Sequence, residues 1–114
     1  MSLDVDLYRL PCAECGADRV SVYSANITHN LGKMASAAGL YEVLWRPDEN
    51  GMRFAGDLIA KMRVGLALLK SEPVRFRAFD AENGWGRYDD FVPWIERYLA
   101  ACEAHPTSIV EVWR

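Results

Sequence analysis

A chain of 114 residues with 51% hydrophobic and 25% charged side chains has room for one globular domain with one core, and excludes a second domain. Its formal net charge of -3, with Lys70, Arg75 and Arg77 as the largest basic cluster, lacks the concentrated positive surface that a nucleic-acid backbone demands, so nucleic acid is not the expected partner. No apolar run approaches the roughly 20 residues of a membrane span, and the opening Ser2 to Asp6 lacks the build of a secretion signal. A cytoplasmic protein without a membrane partner is expected.

Leu3, Val5 and Leu7 alternate with Asp4 and Asp6, which predicts a strand with one buried face and two solvated acids on the other. Arg19 to Tyr23 repeats the alternation, with Val20, Val22 and Ser24 expected on one side. The turn formers of Pro11 to Asp18 make the pair a hairpin with a long loop.

Thr28 can cap a short first helix with apolar positions Leu31, Met34, Ala35 and Ala38, stopped by Gly39. A second helix is predicted from about Phe54 to Lys70 on the stripe Leu58, Ile59, Met62, Leu66 and Leu69, with Asp57 and Lys61 spaced for an ion pair and Pro73 beyond its end. Asp89 or Asp90 can cap a third, with Pro93 in or beside the first turn and a stripe of Phe91, Ile95, Tyr98, Leu99 and Cys102. Thr107 to Trp113 then has the β-branched character of a closing strand. The order β-β-α-α-α-β predicts an α+β fold, in which a small, mainly antiparallel sheet of the hairpin and the last strand is covered on one face by three helices.

Four constellations carry the candidate chemistry. Asn26, Thr28, His29 and Asn30 open the first helix, where free backbone N–H groups favour phosphate or carboxylate, and His29 could move a proton or hold a metal. Against this stands simple capping, which needs only one such residue. Trp45 and Arg46, ahead of a turn containing Asp48 and Glu49, can sandwich a flat ligand or, more plainly, pack and snorkel; for Tyr41 packing is the preferred reading. Asn83, Trp85 and Arg87 sit in a segment where Gly84 and Gly86 can fix the ring at one angle or anchor an ordinary loop. Cys12 and Cys15 have the Cys-x-x-Cys-Gly shape of a zinc knuckle but lack a second pair. No cofactor is required, and zinc is the one metal on offer.

The runs Ser24 to Ala35, Leu44 to Glu49 and Asn83 to Tyr88 together resemble a group of small uncharacterised proteins encoded by bacteriophages and prophages, and the likeness spans nearly the whole chain. It carries no known activity. It implies a cytoplasmic protein of an infected or lysogenic bacterium, in a regulatory or counter-defence role rather than a metabolic one.

The leading expectation is a domain that binds a small ligand, nucleotide-like or an anionic metabolite, with Thr28 to Asn30 taking the anion and Trp45, Arg46 or Trp85 the flat part. The enzyme alternative makes His29 the catalytic proton carrier of a small hydrolase or lyase, helped by Asn30, Arg46 and Asp48 or Glu49. A third alternative is a protein-protein interaction module built on exposed aromatic residues. Homodimerisation is the default assembly for so small a protein.

Overall fold

The computed structural model describes residues 2–9 and 19–114. Two strands, β1 (Ser2–Arg9) and β2 (Val20–Thr28), are followed by a 3-10 turn at His29–Leu31 and by helices α1 (Gly32–Ala37) and α2 (Tyr41–Trp45). A second 3-10 turn at Pro47–Asn50 leads to α3 (Ala55–Ser71), α4 (Pro73–Arg77), α5 (Tyr88–Ala104) and the last strand, β3 (Ile109–Trp113). The strands form one antiparallel sheet in the order β2-β1-β3, so the N-terminal strand is central. This is the expected α+β layering, with α2 and α4 as short additions to the three anticipated helices.

Alternation sets which face of the sheet is covered. Leu3, Val5 and Leu7 are 0–1% exposed, and their cross-strand partners Ile27, Ala25 and Tyr23 pack with them against the helices. The register slips between Leu7 and Tyr8, so Ser24 pairs with Asp6 and points to solvent, contrary to the expectation that it would share a side with Val20 and Val22. Asp4 and Asp6 lie on that outer face with Ser24 and Asn26.

The long helices bury the stripes foreseen for them. Leu58, Met62, Leu66 and Leu69 of α3 meet Phe91, Ile95, Tyr98, Leu99 and Cys102 of α5 in one core. Local details differ. Asp57 turns back to accept from the backbone N–H groups of Arg53 (3.1 Å) and Phe54 (2.9 Å), capping α3 instead of pairing with Lys61. The start of α5 is capped by Asp80, whose Oδ1 accepts from the Tyr88 N–H at 2.7 Å, while Asp89 and Asp90 fall in the first turn. Pro93 lies inside α5, further along than anticipated.

Two polar atoms in the core are informative. Burial pushes the Cys102 thiol up to about 12, so this side chain is a small hydrophobe in the α5 stripe. Tyr98 stacks on Tyr23 (5.9 Å between ring centroids) and meets Trp94 edge-on (5.4 Å), yet its hydroxyl has no hydrogen-bond partner among the described residues. An unpaired buried hydroxyl costs free energy, so Tyr98→Phe is expected to leave the domain as stable as before or up to about 1 kcal/mol more stable. Thermal denaturation checks this; a clear loss of stability would mean the hydroxyl is paired.

Candidate functional site

Six of the residues singled out in the sequence converge on one open cleft of about 980 Å³. Asn26, Thr28, His29 and Asn30 form one wall, where β2 runs out into the 3-10 turn, and Asn83 and Trp85 form the opposite wall. Ile27 and Leu31 supply apolar surface, and Ser2 and Asp90 complete the rim.

Each wall is fixed by local chemistry. Thr28 is the cap of the 3-10 turn, its Oγ1 accepting from the Asn30 N–H at 3.3 Å. On the other side, Asn83 Oδ1 accepts from the Trp85 N–H (2.9 Å), and the Ala81 N–H reaches the Gly86 carbonyl (3.1 Å), closing the loop on itself. Asn30 Nδ2 then donates across to the Trp85 carbonyl at 2.8 Å, joining the walls.

Gly86 allows this approach. Its φ of +108° is one that side-chain-bearing residues resist, and a Cβ there would lie 3.0 Å from Asn30 Cβ and 3.2 Å from Thr28 Cγ2. Gly86→Ala is therefore expected to push the walls apart and to destabilise the domain by about 1–3 kcal/mol. The check is denaturant titration together with loss of the backbone resonance pattern of residues 83–86.

The consequence is an exposed aromatic ring on a rigid mount. Trp85 is 70% exposed, although its own N–H and carbonyl are both hydrogen-bonded, to Asn83 and Asn30. Helix α5 fixes the remaining rim. Trp94 Nε1 donates to the Asn26 carbonyl at 2.9 Å, and Asp90, one turn earlier on the same helical face, is thereby delivered to the cleft. The sequence suggested Asp90 only as a cap; nothing in its spacing marks it as a rim residue, because the anchor at Asn26 is distant in the chain.

His29 is held from beneath. Trp45 Nε1 donates to His29 Nδ1 at 2.8 Å, so neutral His29 carries its proton on Nε2, the nitrogen left to donate to a ligand. Trp45 itself is 2% exposed and stacks on Tyr41 at 5.5 Å. Its ring thus supports His29 from below and is closed to a ligand, in contrast to the stacking role expected from the sequence.

Arg46 and Asp48 also lie away from the cleft. Arg46 pairs with Glu49 and reaches the Tyr41 hydroxyl from Nε at 3.2 Å. Asp48 is gripped by Arg114 at 2.8 and 3.2 Å, and that guanidinium holds its carboxyl below the usual carboxylate range. Arg114 also donates to the Trp45 carbonyl at 2.9 Å, which fastens this turn to the end of β3. Of the helpers expected for a catalytic His29, Arg46, Asp48 and Glu49 are therefore engaged elsewhere, and Asn30 alone stands beside it in the cleft. Arg87 is exposed at the start of α5 and is not among the residues lining the cleft, and Cys12 and Cys15 lie outside the described residues.

The electrostatic character of the cleft differs from an anion site. Among the described residues its lining contains one carboxylate, Asp90, and neither lysine nor arginine; Lys33 is exposed elsewhere. Among the described residues no helix is long and apolar enough to cross a membrane. Comparison of the chain with protein-family models, with curated proteins and with solved structures finds no match.

Proposed function

We propose that the protein is a small-ligand-binding domain that takes a flat, polar, nucleotide-like molecule in the cleft between His29 and Trp85 and holds it without chemical turnover. One observation carries the reading: Trp85 stands 70% exposed on a doubly tethered loop beside Asn30 and Asn83, whose amides each spend one polar atom on that tether and keep the other for a ligand. An exposed tryptophan on a rigid mount is poorly explained by packing, whereas a stacking platform needs this exposure and rigidity. Asn26, Thr28, Asn30 and Asn83 would read the edge of the stacked ring, and His29 would donate from Nε2. Binding without turnover also suits the regulatory or counter-defence role suggested by the phage-like motifs.

A thermal-shift screen of nucleosides, nucleotides and related metabolites tests it. At least one compound is expected to raise the melting temperature of the wild type. Trp85→Ala should remove that stabilisation, since a stacked base is worth about 1–3 kcal/mol, while costing the free protein at most about 0.5 kcal/mol. A screen without any stabiliser would count decisively against the reading.

A further inference from the structure

We infer that the cleft selects the uncharged nucleoside class and disfavours the phosphate of a nucleotide. This rests on the binding reading above and concerns which part of such a ligand is recognised.

Among the described residues, the positive groups that would hold a phosphate are missing from the cleft or already used. No lysine or arginine lines the cleft among the described residues, and its one formal charge is the Asp90 carboxylate. The nearest long helix to begin here is α5, yet its Tyr88 N–H is taken by Asp80 Oδ1 at 2.7 Å, and Asp89 and Asp90 fill its first turn. The positive end of that helix dipole thus already faces three carboxylates. On the opposite wall the Asn30 N–H is occupied by Thr28 Oγ1. His29 Nδ1 is likewise taken, as the acceptor of the Trp45 indole N–H.

Leaving the cleft does not help an anion. Asn26 also lines a second concavity, on the open face of the sheet, with Asp4, Asp6 and Trp113. Asp4 pairs with Asn26 on one side and Trp113 on the other, so a tail that passes Asn26 meets carboxylates at once.

The groups that remain suit a neutral heterocycle and its sugar. Asn83 has Oδ1 bound to the loop and offers Nδ2 as donor; Asn30 has Nδ2 bound and offers Oδ1 as acceptor. Together with the Nε2–H of His29 they present donors and an acceptor of the kind found along a base edge. Asp90 is placed to accept from hydroxyl or exocyclic amino groups.

Isothermal titration of the full chain with adenosine, guanosine, cytidine and uridine, and with their 5′-monophosphates, tests the inference. At about 20 mM salt, where exposed charges are weakly screened, a binding nucleoside is expected to exceed its monophosphate in affinity about tenfold. The gap should shrink at high salt and in Asp90→Asn. A monophosphate that binds as tightly as its nucleoside, or more tightly, at low salt would overturn this inference and leave the binding reading standing. Silence from every compound would overturn both.

Discussion

Trp45→Ala is expected to cost about 3–5 kcal/mol of stability, the range for removing a large buried aromatic side chain. The indole is 2% exposed, stacks on Tyr41 and donates to His29, so its loss opens a cavity and frees two partners together, while the Arg114 hydrogen bond to the backbone carbonyl is untouched by the substitution. Trp45→Phe retains most of the apolar volume but leaves His29 Nδ1 without its donor, and a smaller loss of about 1–2 kcal/mol should follow. Urea denaturation of both variants gives the comparison. Unchanged stability with lost ligand affinity would instead make Trp45 a ligand contact, contrary to its burial.

Gly65→Ala should also destabilise, against the usual rule. In the interior of an exposed helix, alanine is favoured over glycine by about 1 kcal/mol. Gly65, however, is buried on α3 against the fully buried Leu40, and a Cβ would fall 2.3 Å from both Cγ and Cδ2 of that side chain. Such an overlap inside a close-packed core cannot be relieved by moving a free side-chain end, so a net loss of about 1–3 kcal/mol is expected. Leu40→Ala makes the cause visible. In the double variant the two losses should sum to more than the measured total, because the smaller residue vacates the space that the new methyl group needs. Simple additivity would mean that the two residues do not compete for that space.

These two positions also mark where sequence reading succeeds and where it stops. The stripes of α3 and α5 were legible because each long helix buries a face of regularly spaced apolar side chains, and the strand alternation of Leu3, Val5 and Leu7 was legible for the same reason. Strand β2 reads as polar beyond Tyr23, yet it continues to Thr28, because an edge strand needs only Tyr23, Ala25 and Ile27 on the inner face. The slip after Leu7, which decides the side of Ser24, leaves no local mark.

The site was half legible for related reasons. The segments around His29 and Trp85 stood out as dense in hydrogen-bonding groups, but their meeting depends on the absent Cβ of Gly86, a contact 55 residues apart in its Asn30–Trp85 hydrogen bond. Trp45 beside Arg46 looked like a stacking pair, since neither residue reveals that the indole N–H finds His29 below the cleft. Asp80 took the cap expected of Asp89 or Asp90 because the loop folds back on itself, which left Asp90 free for the rim. In each case the deciding partner is remote in the chain and is chosen by tertiary packing.

The most direct test follows the four indole N–H resonances and the amides of the full chain by two-dimensional NMR while adenosine, guanosine, cytidine or uridine is added. Saturable shifts confined to Trp85 and to residues 26–30 and 83–86, with Trp113 unmoved and the Trp45 signal affected only through His29, are expected. Shifts clustered at another surface with Trp85 silent would contradict a ligand site between His29 and Trp85.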